Sequence, residues 1–113
     1  MRTAHYNKFG NHKTEVDGIV FDSSREAQRY SELKLLQRGG VISNLSLQPK
    51  FVLQEPFIRA GVKYRAITYI ADFSYLENGG IVVEDAKGHP TPEYLLKKKM
   101  LLAKYSDMDF REV

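Results

Sequence analysis

Cysteine is absent from this chain, and histidine occurs only at His5, His12 and His89. The first absence excludes a disulfide framework and thiolate zinc sites, and the scatter of the histidines excludes a metal centre built on imidazole alone. Any metal would have to be held by oxygen. Long apolar runs are lacking too. Nothing approaches the roughly 18 residues needed to cross a bilayer, and the polar stretch 1–13 has no apolar h-region of a signal peptide. The reading is of a cytoplasmic protein with no membrane partner. With 113 residues the chain has material for one core and not for two, so 1–113 is expected to form a single domain. Acids are scarce in one place: residues 87–104 hold five Lys against a single acid, Glu93, although the whole chain carries only +3. Such a local excess points to a phosphate-binding face.

The opening 1–12, rich in Asn, His, Lys and Gly, reads as a flexible arm. Asp17-Gly18, between Val16 and Ile19-Val20-Phe21, marks a short hairpin. Ser23-Ser24-Arg25-Glu26 is a capping-box start. Ala27, Tyr30, Leu33 and Leu36 follow at three-residue steps and Gly39-Gly40 close the run, which predicts an amphipathic helix with a glycine stop. Residues 51–58 and 66–76 are rich in β-branched and aromatic side chains and read as strands joined by a loop at 59–63, with 81–87 a third strand. Thr91-Pro92-Glu93 opens a second helix, with Thr as N-cap and Pro at the first helical position, running to about Tyr105. Residues 110–113 fit a short last strand. The expected class is α/β, in the order helix, three strands, helix, strand.

Asn78-Gly79 between two strand-like stretches is a strong hairpin signal, because both central residues of the favoured turn need positive φ. Counting outward from Glu77 and Gly80, Asp72 falls opposite Asp85. Directly opposed side chains have Cβ atoms about 4.5–5.5 Å apart, and like charges there repel. A divalent cation between them reverses the sign, since Mg²⁺ takes carboxylate oxygens and completes its shell with water and substrate phosphate. Strand alternation puts Lys87 on the face of Asp85 and turns Glu84 and Ala86 away. Asp72 and Asp85 can also be read as exposed edge residues with Lys87 as their surface salt-bridge partner, but Tyr69-Ile70-Ala71 and Phe73 around Asp72 are a poor setting for a solvated charge.

At about 100° per residue, the apolar stripe of the first helix centres on the direction of Glu26. Its carboxylate is either the capping-box partner of the Ser23 amide or a third acidic ligand. On the second helix Lys98 sits amid Tyr94, Leu95, Leu101, Leu102 and Tyr105, where snorkelling and phosphate binding are both open. Lys97 and Lys99 fit a solvated face or DNA contacts. Gln48 in "LQPKF" can approach a substrate or serve structure alone.

Asp72, then Asp85-Ala86-Lys87 on a hairpin, after a helix bearing Glu26 and before one bearing Lys97 and Lys98, resembles the PD-(D/E)XK nuclease superfamily. "KTEVDGIVFDSSREAQRY", "LQPKF", "YIADFSY" and "VVEDAKGHPTPEYLLKKK" look like a phage and prophage family of small proteins of formerly unknown function, grouped with Holliday-junction-resolvase-like endonucleases. The likeness covers nearly everything from residue 13 onward. It implies a restriction-endonuclease-like αβββαβ core with a mixed sheet flanked by helices. It also implies metal-dependent endonucleolytic hydrolysis of DNA, on branched or nicked substrates, by a homodimer in the cytoplasm of a bacterial host. By the same resemblance Asp72, Asp85 and the Ala86 main-chain carbonyl would bind Mg²⁺ or Mn²⁺. Lys87 would orient or activate the attacking water, and Glu26 would match the acid of the first core helix. Two positions depart from the pattern: Ala71 stands where the superfamily has Pro, and Asp85 where Glu is commoner. A nucleic-acid-binding module that keeps the fold without turnover is the competing reading.

Overall fold

In the computed structural model, which describes residues 13–86 and 91–113, the chain runs β1 (Thr14–Val16), β2 (Ile19–Phe21), α1 (Ser24–Arg38), β3 (Ser43–Leu47), β4 (Lys50–Gln54), β5 (Phe57–Arg59), β6 (Val62–Tyr64), β7 (Ile67–Ile70), β8 (Phe73–Glu77), β9 (Gly80–Asp85), α2 (Pro92–Lys104) and β10 (Asp109–Glu112). The arm expected at 1–12 and the site residue Lys87 lie outside the described residues.

The local signals act as their chemistry requires. Asp17 and Gly18 take φ of 54° and 77° and join β1 to β2, and Asn78 and Gly79 at 53° and 79° join β8 to β9. These are two-residue turns whose twist matches paired strands. Ser23 Oγ accepts the Glu26 N–H at 3.1 Å to start α1. Thr91 Oγ1 accepts the Tyr94 N–H at 3.0 Å to start α2 behind Pro92.

The central sheet has the strand order β10-β9-β8-β3. β9 and β10 are parallel, with α2 as the crossover between them, and the other pairs are antiparallel. A helix covers each face. Ala27, Tyr30 and Leu33 of α1 pack with Phe21, Ile42, Phe73, Tyr75 and Val82 in one core. Leu101 of α2 packs with Leu53, Tyr69, Ala71 and Val83 in the other. The alternation of β9 thus sends Val82 to the α1 side and Val83 to the α2 side.

The strands between the helices depart from the expectation. The stretch 51–58 is not one strand: Glu55-Pro56 divides it into β4 and β5, since Pro cannot donate to a ladder. The loop expected at 59–63 is the tight end of a β5–β6 hairpin, turning at Ala60 and Gly61 with φ of 52° and 78°. The stretch 66–76 is interrupted at Ala71-Asp72. β3 was not expected, because Ser43-Asn44-Leu45-Ser46-Leu47 has no β-branched residue; it is held by pairing with β8 and by Gln37 Oε1, which accepts the Leu45 N–H at 2.8 Å. The three antiparallel strands of the central sheet are therefore β3, β8 and β9, and β4–β7 form an extension.

That extension is continuous with the sheet. Leu47 faces Phe73 on one side of the interruption and Lys50 faces Ile70 on the other, in the same register. Between them the Gln48 N–H donates to Asp72 C=O at 2.9 Å and the Ala71 N–H to Pro49 C=O at 3.1 Å. The result is one long ribbon, bent where Gln48 takes a φ of 50°.

Candidate functional site

Asp72 sits at that bend. The ladder of β8 and β9 has its last rung at Phe73 and Glu84, so the expected opposition of Asp72 and Asp85 across a rung does not form. The Asp72 N–H instead donates to Glu84 C=O at 3.1 Å. The Asp72 carbonyl is taken by the Gln48 N–H of the long ribbon, at the point where the chain leaves the β9 ladder. The Asp72 carboxylate still arrives beside Asp85, because its Oδ2 accepts the Ala86 N–H at 2.6 Å.

Three acids of the sequence reading converge here. Burial, then the charges of Asp72 and Asp22, then a hydrogen bond to Asp72 and the charge of Asp85 push the Glu26 carboxyl up to about 7. Its place in the first turn of α1, where the helix dipole favours an anion, does not offset this. Burial likewise pushes the Asp85 carboxyl up to about 7 against the opposing Tyr69 hydroxyl, and the Asp72 charge adds to the rise. Ser23 Oγ supplies the cap of α1, while the Glu26 carboxylate faces Asp72. Glu26 lines two neighbouring clefts. One, of about 290 Å³, lies under β2 and holds Asp22, Gln48 and Asp72; the other, of about 210 Å³, holds Arg25, Arg29, Ala86 and Val113.

One residue before Asp85, Glu84 points to the opposite face and is fully buried. Arg29 grips it through Nε at 2.8 Å and Nη2 at 2.6 Å, and the Tyr75 hydroxyl donates to Oε2. Burial alone would raise this carboxyl, but Arg29 and Tyr75 outweigh it and hold the group below its ordinary range.

On the α2 side the Tyr69 hydroxyl donates to Asp85 Oδ2. Tyr94 lies beside Tyr69 with ring centroids 6.3 Å apart and donates to Glu112, which also receives Lys98 Nζ at 3.1 Å. The predicted DNA-contacting lysines divide accordingly. Lys98 is turned to Glu112 and lies over the Phe110 ring, Lys97 pairs with Glu93 at 3.2 Å, and Lys99 is exposed. Tyr69 left no sequence signal, since the bend at Ala71-Asp72 breaks the alternation that would tie it to Asp85. Arg29 did leave one: it lies three residues after Glu26 on the same helix face.

The donor set suits a hard cation. As the side chains stand, no three acidic or histidine groups among the described residues are gathered tightly enough to cage an ion, because Asp72 is turned to Ala86 and Asp85 to Tyr69. Mg²⁺ needs no such cage: one or two carboxylates, with waters and a substrate phosphate, complete its octahedron. Asp72 and Asp85 meet that requirement.

The site is thus an acidic cleft at the rim of a mixed α/β sheet. The chain belongs to the DUF1064 family, described as a protein of unknown function, whose model matches residues 6–113. Neither a curated protein nor a solved structure matches it.

Proposed function

We propose that the protein is a metal-dependent DNA endonuclease of the PD-(D/E)XK type, hydrolysing phosphodiester bonds with Mg²⁺ or Mn²⁺. The observation that carries this reading is the convergence of Glu26, Asp72 and Asp85 where two ribbons meet, with no cation among the forces acting most strongly on Glu26 or Asp85. A fold gains nothing from gathering like charges. The succession α1, β3, β8, β9, α2, β10 around a mixed sheet supports the same reading.

Asp72 and Asp85, with the Ala86 carbonyl, would hold the ion. When bound, it supplies a water of lowered pKa and neutralises charge on the scissile phosphate. Tyr69 orients the Asp85 carboxylate. Asp85 and Glu26 hold protons up to about pH 7 and must release them to serve as ligands, so metal affinity rises through neutrality. Lys87 would orient the attacking water.

Incubation with Mn²⁺ and a panel of duplex, nicked, flapped and four-way DNA tests the proposal. Cleavage is expected from the wild type and not from Asp85→Ala or Lys87→Ala, with DNA binding retained in both. The engagement of Asp72 by Ala86 and of Asp85 by Tyr69 favours a second reading, a binding module without turnover. Tight binding of every substrate with no cleavage in either metal would establish it.

A further inference from the structure

The β5–β6 hairpin forms a two-stranded sheet of its own, and all of its strand residues are exposed. Isolated hairpins are marginal in water. This one is held by its turn and by Phe57 stacked on Tyr64, with ring centroids 4.8 Å apart and planes 12° from parallel. It leaves Ile58 67% exposed and Val62 50% exposed. Apolar side chains on a protruding ribbon imply an occupant, and the charge indicates which. Between Glu55 and Asp72 the chain has Arg59, Lys63 and Arg65 and no acid. Among the described residues no ion pair engages any of the three.

The pairing distributes these cations. Ile58 faces Lys63 on one side of the ribbon, while Phe57, Tyr64, Arg59 and Val62 share the other. Each face therefore carries an apolar contact and a long cationic side chain. Two strands about 4.8 Å apart, with side chains, fill the roughly 12 Å width of the B-DNA major groove, which admits a β-ribbon. The major groove of A-form RNA is too deep and narrow for side chains to read. The chain from Tyr64 to Asp72 spans at most about 26 Å at 3.3 Å per extended residue, less than one duplex turn of about 34 Å.

We infer that the β5–β6 hairpin is a DNA-binding arm that enters the major groove of a duplex within one turn of the carboxylates, Arg59 and Lys63 pairing with its phosphates. The assignment of the duplex as substrate rests on the nuclease reading; the arm itself is tested apart from it.

Fluorescence anisotropy of a labelled DNA duplex, titrated with the full chain in EDTA over a range of salt, gives the measurement. The exposed double substitution Arg59→Ala/Lys63→Ala should reduce the log–log salt slope by about 1.8 and weaken binding about ten- to hundredfold at 0.1 M salt. Duplex RNA should bind more weakly than duplex DNA and lose less on substitution. An unchanged slope, in a variant with wild-type circular dichroism, overturns the inference. So does a wild-type dimer in sedimentation that Ile58→Asp converts to a monomer without change in DNA binding, since the arm would then be seated on a second copy. If the slope falls as expected but no DNA is cut with Mn²⁺, the arm stands and the nuclease reading falls. If the wild type binds no duplex DNA, the arm falls and the nuclease reading is decided by the cleavage panel with Mn²⁺.

Discussion

Glu84 and Asp85 are neighbours on one strand and are treated in opposite ways. Glu84 is sealed from solvent, yet its charge is favoured, because a two-pronged Arg29 and the Tyr75 hydroxyl replace the water it lost. Asp85 is only half-buried, yet its charge is disfavoured, because the burial it does suffer is answered by no cation and Asp72 adds a like charge. Depth of burial does not separate a carboxylate that keeps its charge from one that gives it up. What separates them is whether the fold supplies the counter-charge or leaves it to be brought from outside.

The sharpest way to break this contrast is to remove the supplied partner. Arg29→Ala leaves Glu84 buried with the Tyr75 hydroxyl but without its ion-pair partner and should cost about 3–5 kcal/mol of stability, whereas Asp85→Asn should leave the metal-free protein as stable or more stable. Urea melts of both in EDTA give the comparison; a larger loss for Asp85→Asn would invert the assignment of roles.

The pH dependence should divide in the same way. Glu84 is held below its ordinary value of 4.5, so its contribution is present above that pH and lost as the medium becomes more acid. Glu26 and Asp85 are raised from 4.5 and 3.8 to about 7, so the folded state binds protons better than the unfolded one between those limits. Stability should therefore fall as pH rises from about 4 to 7, on the order of 1 kcal/mol for each group after allowance for solvent screening. Thermal melts across this range should show the decline in the wild type, recovery above pH 7 with added Mn²⁺, and a flatter curve for Asp85→Asn.

Glu26→Gln should leave the metal-free protein as stable or slightly more stable at pH 7, since the cap of α1 is Ser23 accepting the main-chain N–H of residue 26 and the substitution removes a disfavoured charge. Its expected effect is on cleavage and on the Mn²⁺ dependence of melting; wild-type values in both would remove Glu26 from the site. Smallest of all should be Lys97→Ala/Lys98→Ala/Lys99→Ala. Two of these lysines are held by Glu93 and Glu112 in surface pairs worth at most about 1 kcal/mol each. The salt slope of DNA binding should then fall by about 0.9, the share of Lys99 alone. A fall near 2.7 would mean that DNA draws Lys97 and Lys98 away from their acids.

Much of this was legible in the sequence wherever a residue acts locally. Asn78-Gly79, Ser23 and Thr91-Pro92 each set their own turn or cap, and the hairpin count brought Asp72 to Asp85. Features that arise from pairing over long separations were not legible. β3 has a polar, unbranched sequence and is a strand only because β8 lies beside it. At the bend the Asp72 carbonyl is taken by Gln48, from the link between β3 and β4 far back in the chain, and in place of the expected rung the Asp72 side chain accepts from Ala86. Tyr69 reaches Asp85 across that same bend, and the partner of Glu84 comes from a helix far away in the chain.

The turn at Asn78-Gly79 has a bearing on the chemistry that its distance hides. Because side chains alternate along β9, slippage of the hairpin by one residue would exchange Glu84 and Asp85 between faces. Arg29 would then meet a shorter acid, and Tyr69 would meet the longer one in place of Asp85. Both faces would keep a carboxylate, so composition alone offers little protection against the error. The safeguard is Gly79, at a φ of 79° in a loop that admits only two residues. A glycine five rungs away, with no functional group, thus decides which of two adjacent acids meets Arg29 and which meets Tyr69.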